Sequence, residues 1–122
     1  MIGYVTLGTN DIQRAAKFYD ALLGTLGAKR GMESDSFIAW GVSPTTPMLS
    51  VIKPHDKNAA TVGNGVMVAI VVDTKAKVDA FYKKAMELGA KDEGPAGPRG
   101  DTFYAGYFRD LDGNKLNVFC MG

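Results

Sequence analysis

His55 is the only histidine in the chain, and Asp56 follows it directly. An imidazole oriented by a carboxylate is the usual equipment of a general base. The pair lies in KPHDKNAATVGNG, which reads more simply as an exposed linker. Cys120 is the only thiol, so neither an internal disulfide nor a thiolate metal cage can form within the chain. Strand parity puts Cys120 on an apolar face, where a thiol is generally buried and inert, so a Cys120–His55 dyad is disfavoured. A Ser-His-Asp triad would have to use His55, and no serine stands in a strand–turn–helix elbow. Asp110 and Asp112 invite an acid/base pairing, but Asp112-Gly113 in DLDGN is already explained as a hairpin turn. EGPAGPRGD, residues 93–101, lacks the GxxxxGK pattern of a phosphate loop. It is expected to form a mobile rim, with Arg99 available to an anion. The catalytic residues stay unassigned.

Composition bounds the setting for this chemistry. A chain of 122 residues is one domain by size, and 46% hydrophobic with 22% charged residues suits a globular fold. The net charge is +1, and the densest basic group, Lys75, Lys77, Lys83 and Lys84, falls on one expected helix as a solvated face. No basic stripe interleaved with aromatics suggests nucleic acid. The longest apolar run, Val66 to Val72, is far short of a membrane span. No charged start precedes a long apolar run, so a cytoplasmic location is the default expectation.

The elements that position these residues come from a repeat. FYDALLGTLGAKR begins at Phe18 and FYKKAMELGAKD at Phe81. Phe18 follows Tyr4 at the interval by which Phe81 follows Met67, and LGAK recurs one residue out of step, at a turn where an insertion is cheap. SFIAWGVSPTTPMLSVI (36–52) and FYAGYFRDLDGNKLNVF (103–119) have equal length, and each reads as strand, turn, strand. Asn10 or Asp11 can cap the first helix, and Asp73 or Thr74 the second. Val78, Phe81, Tyr82, Ala85 and Met86 form one helical stripe, and Gly27 and Gly89 stand at helix stops. The expected fold is α+β: two βαβββ modules in tandem, residues 1–54 and 65–122, joined by a linker over 55–64.

Period-2 alternation separates the two faces of these strands. One face carries Val5, Leu7, Leu49, Val51, Val68, Ile70, Val72, Leu116, Val118 and Cys120, as expected beneath packed helices. The other carries Tyr4, Thr6, Met48, Ser50, Ile52, Met67, Ala69, Val71, Lys115, Asn117 and Phe119. That second face is too apolar for open solvent and too polar for a core. It suits a pocket or a meeting with another chain. Trp40 and Tyr107 align across the repeat, and each could stack on a planar ligand or fill the core.

A duplicated βαβββ unit with FY in its helix, LGA after it and a closing RDLDGNKLNVF resembles the vicinal oxygen chelate superfamily. Its members include glyoxalase I, extradiol dioxygenases and the bleomycin- and fosfomycin-resistance proteins. The second half, from GNGVMVAIVVD to DLDGNKL, resembles small bacterial glyoxalase-like proteins. The resemblance implies sheets curved around a cavity, and frequent dimerisation. In metal-dependent relatives a His on the first strand and a Glu on the last strand of each module hold a divalent ion. Those positions fall here on Tyr4 and Met67, and on Ser50 and Asn117, so no metal and no cofactor are expected at the family site.

Two functions follow as expectations. The first is a metal-free binder whose cavity, lined by Tyr4, Trp40, Met48, Ser50, Met67, Tyr107 and Asn117, holds a small organic molecule. The alternative is a glyoxalase-like lyase or dioxygenase-like enzyme, using a metal or acid/base chemistry from Tyr4, Asp101 or His55 in the same cavity. A mixed face that simply forms a homodimer interface is a third reading.

Overall fold

The computed structural model describes residues 1–122. Two compact units divide it, Met1–Val62 and Gly63–Gly122, so residues 55–62 group with the first. Each unit is a βαβββ module, and the fold is α+β. The first comprises β1 (Tyr4–Gly8), α1 (Ile12–Gly24), β2 (Lys29–Glu33), β3 (Phe37–Gly41) and β4 (Met48–Ile52). The second comprises β5 (Val68–Val71), α2 (Lys75–Glu87), β6 (Lys91–Pro98), β7 (Phe103–Arg109) and β8 (Lys115–Met121). The strand orders are β1-β4-β3-β2 and β5-β8-β7-β6, with the first and last strands of each module parallel and all other pairs antiparallel. No helix is long and apolar enough to cross a membrane.

The helices begin and end where local chemistry dictates. Asp11 is the N-cap of α1 and accepts from the Arg14 amide at 3.0 Å; Thr74 caps α2 and accepts from the Lys77 amide at 3.1 Å. Gly27 and Gly89, at φ 81 and 97, take the left-handed turn that an L side chain resists. The chain then reverses through matching bonds, Ala28 N to Leu23 O and Ala90 N to Ala85 O. The buried face of α1 is Ile12, Ala15, Ala16, Phe18, Tyr19, Leu22 and Leu23, whereas α2 buries Val78, Phe81 and Ala85 and leaves Tyr82 and Met86 half-buried.

Against α1 lie Leu7, Ile38, Trp40, Leu49 and Val51; the second module repeats the arrangement with Phe108, Leu116, Val118 and Cys120 beneath α2. The buried thiol therefore belongs to the core.

Residues 93–98 depart from the expected mobile loop: they belong to β6. The strand is bulged, its register with β7 shifting between Asp92 and Gly94 and again between Gly94 and Gly97. Pro95 and Pro98 can lie there because β6 is an edge strand, where a missing N–H breaks no obligatory ladder. Arg99 is likewise not free for an anion. Its guanidinium donates to the carbonyls of Gly97, Pro98 and Pro95, and its carbon lies 5.5 Å from the Tyr107 ring centre. A side chain thus replaces the ladder partners that the bulge removes.

Candidate functional site on the open sheet faces

Each sheet has one face against its helix and one face turned from it. In the second module the latter presents Tyr107, Lys115, Asn117 and Phe119. Asn117 on β8 pairs with Ala69 on β5 and with Tyr107 on β7, so its side chain rises from the middle of the sheet. It is 2% exposed, yet its Oδ1 has no hydrogen-bond partner. An unpartnered buried amide group costs about 1–3 kcal/mol, and buried polar atoms are rarely left this way. The Lys115 ammonium lies 5.7 Å from the Tyr107 ring centre, so this half-buried ring is approached by two cations, Lys115 and Arg99. Phe103 and Phe119 stack beside them, with centroids 5.2 Å apart and planes at 22°.

The first module is built differently. Ser50 pairs with Thr6 on β1 and Ala39 on β3, and it is completely buried. Its hydroxyl donates to Val5 O at 2.8 Å and sits 2.8 Å from Thr6 Oγ1, so it fastens β1 to β4 and is not presented to a ligand. Met48 lies flat across the sheet, because β2 and β3 offer glycines there. A Cβ on Gly31 would stand 2.5 Å from its methyl carbon, and one on Gly41 3.0 Å from its Cγ. Tyr4 is 56% exposed and meets Phe37 edge-on at 6.2 Å. Met67, one residue before β5, is 39% exposed.

Trp40 has to be taken out of the expected cavity. It pairs with Leu49, is 2% exposed, and packs on Tyr19 of α1 at 5.5 Å. Its indole N–H donates to Asp20 at 2.8 Å, and Arg30 clasps the same carboxylate at 2.7 and 2.9 Å. The Arg30 hydrogen bond, followed by that of Trp40, holds the Asp20 carboxyl below its ordinary range despite some desolvation. The structural counterpart of Trp40 is Phe108, which pairs with Leu116 and meets Phe81 of α2 at 6.2 Å. Tyr107 corresponds instead to Ala39. The β3–β4 connection is one residue longer than the β7–β8 connection, and a one-residue slip exchanges the two faces of a strand.

The acid/base candidates are not assembled into a dyad. Asp56 accepts from the backbone and side-chain amides of Asn58 at 2.9 and 3.2 Å, so its carboxylate organises a turn and does not orient His55. His55 and Asp101 are exposed. Asp110 accepts from the amides of Asp112 and Asn114 and from the Asn114 side chain, closing the β7–β8 turn around Gly113 at φ 89.

Phe37 in the first module, and Phe103 and Phe119 in the second, stand on the faces turned from the helices and were not among the expected cavity residues. The hairpin registers place Phe37 and Phe103 there, by pairing them with Ile52 and Met121 within their own modules.

Tandem βαβββ modules, each a mixed four-stranded sheet with one helix, define the vicinal oxygen chelate fold. The chain belongs to the Glyoxalase/Bleomycin resistance protein/Dioxygenase superfamily, whose family model matches residues 1–118. It is similar to a glyoxalase/bleomycin resistance protein from Albidiferax ferrireducens T118, with 35% identity, a TM-score of 0.89 and 98% of both chains covered. Lactoylglutathione lyase from Agrobacterium tumefaciens shares the fold at 20% identity and a TM-score of 0.74, covering 98% of this chain and 92% of that one. A fosfomycin resistance protein from Mesorhizobium loti does so at 15% identity and 0.70, covering 98% and 90%. At these identities the last two likenesses concern the fold alone. No curated protein matches the chain.

Proposed function

We propose that the protein binds a small organic molecule on the open sheet face, without a metal at the positions its family uses for one. The observation that carries this reading is the buried Asn117 amide with its unpartnered Oδ1, beside the Tyr107 and Phe119 rings. A ligand N–H or O–H would complete that oxygen, and an aromatic or otherwise planar body would suit the neighbouring rings. Aromatic amines, amides and phenols are the corresponding chemical class.

The residues at the family metal positions do not fit a divalent ion. Such an ion needs carboxylate oxygen or imidazole nitrogen to offset its lost hydration. Tyr4 and Ser50 offer neutral hydroxyls, the second already bonded on both sides; Met67 offers a soft thioether, and Asn117 a neutral amide. No group of three or more His, Cys, Asp and Glu side chains is clustered as a metal site.

A second copy of the chain is the proposed protein partner. The edge strands β1 and β5 carry Tyr4 and Val71 at 56% and 67% exposure, and a second copy covering these edges would remove that surface from water.

Elemental analysis tests the reading. The untagged protein, incubated in turn with Mn, Fe, Ni and Zn and then desalted, is expected to retain no metal. Small aromatic amines, amides and phenols are expected to raise its melting temperature in a concentration-dependent way. Retention of about one metal per chain would overturn the binding reading in favour of a metal-dependent lyase or dioxygenase.

A further inference from the structure

The segment after β4 encloses a cleft. Residues 53–59 and the β1–α1 turn surround a volume of about 640 Å³, with Thr9, Asn10, Ser36, Lys53, His55 and Lys57 among its lining. All of these residues belong to the first module.

The walls are held by hydrogen bonds. Asn10 donates to Ala60 O at 3.3 Å and accepts from Ala60 N at 2.7 Å, which imitates the reciprocal bonds of a strand pair. Lys53 N donates to Ser36 O at 2.8 Å, and Lys57 N to Pro54 O at 3.0 Å. The segment lies so close to β1 that a Cβ on Gly8 would stand 3.0 Å from the Ala60 methyl. Lys57 is the single non-glycine residue with positive φ, at 67°. These contacts fix the cleft before any ligand arrives, which lowers the ordering cost of binding.

Its charge is one-sided. Lys53, His55 and Lys57 line it, and no carboxylate does. The nearest acid in sequence, Asp56, is turned onto Asn58. Ion pairs elsewhere join Lys77 to Asp73, Arg30 to Asp20 and Glu33, and Arg109 to Glu93. None of the three cleft groups has such a partner.

We propose that this cleft binds a small multivalent anion, either a phosphate ester or a polycarboxylate. Lys53, Lys57 and His55 line one concave surface together with Ser36, and their side chains supply ammonium, imidazole and hydroxyl donors. The site uses none of the open-face residues and stands independently of the ligand proposed there. Because its cations are solvent-exposed, affinity is modest and falls as salt screens the charges.

The test is backbone-amide NMR on the full chain at low ionic strength, titrated with inorganic pyrophosphate in one arm and citrate in the other. Saturable shifts are expected at Asn10 and from Lys53 to Ala59, with a dissociation constant on the order of 0.1–1 mM. The double substitution Lys53→Gln/Lys57→Gln is expected to weaken binding about tenfold. Lys83→Gln/Lys84→Gln on α2 serves as a charge-matched control and should leave it unchanged. Saturation in the pyrophosphate arm alone assigns the site to phosphates, in the citrate arm alone to polycarboxylates. The proposal is overturned if neither arm saturates, if the cleft variant binds like the native protein, or if the α2 variant weakens binding equally.

Discussion

Replacing Asn117 with leucine should make the protein more stable. Asparagine and leucine share one side-chain skeleton, a γ-carbon bearing two terminal atoms, so the exchange swaps polarity with little change of shape. In the native protein the terminal oxygen is buried and unpartnered. Its desolvation penalty is about 1–3 kcal/mol, and leucine removes it. Slightly bulkier methyl groups offset part of the gain, leaving roughly 1–2 kcal/mol, which corresponds to a rise of about 3–8 °C in melting temperature. Urea and thermal denaturation of Asn117→Leu beside the native protein measure it directly. The same variant should lose its response to aromatic amines, amides and phenols, so stability and binding move in opposite directions. A melting temperature lowered by several degrees would show that the amide is satisfied in the native protein, and would refute the reasoning from Asn117 to a ligand.

Three other perturbations test the fold that carries the face. Gly106→Ala should cost about 1–3 kcal/mol, because its Cβ would stand 2.8 Å from a Tyr82 ring carbon and 3.3 Å from the Ala96 Cα; Tyr82→Leu in the same chain should return much of that loss in urea denaturation. Asp20 is held below the ordinary carboxylate range chiefly by Arg30, and Asp92 chiefly by the Tyr82 hydroxyl. Folded-state values depressed in this way contribute stability above the unfolded values near pH 4, and that stability is lost as pH falls through the folded values. Urea midpoints should therefore drop below about pH 4, and Asp20→Asn, which keeps an acceptor for Trp40, should flatten the drop by less than about 1 kcal/mol given its exposure; an unchanged slope would discount the Asp20–Arg30 pair. Tyr82 is pushed up to about 12, first by burial and then by Asp92, so its share of stability is present below about pH 10 and lost as pH rises through the folded value. Tyr82→Phe should lessen that alkaline decline, to which Tyr104, raised chiefly by its hydrogen bond to Asp79, also contributes, and an unchanged decline would assign it to other groups.

The features legible in the sequence were those whose causes are local. Caps at Asp11 and Thr74 and left-handed glycines at Gly27 and Gly89 follow from chemistry within a few residues, so the helices could be bounded without knowing what they pack against. Strand alternation was equally readable, and the face holding Tyr4, Met48, Ser50 and Asn117 is the face turned from the helices. The repeat fixed which strands correspond. Tertiary structure decided what depends on register between strands distant in the chain. One extra residue before β4 puts Trp40 in the core and leaves Tyr107 on the open face, although a gapless alignment equates them. Pairing with β7 turns the Gly/Pro-rich stretch into a bulged edge strand, stitched by Arg99. Hydrogen bonding separates Ser50, bonded on both sides, from the equally buried Asn117, whose oxygen has no partner at the matching position. Residue type and period are properties of a chain segment, but a polar atom's partner is set by whichever strand arrives beside it, and only the folded sheets supply that.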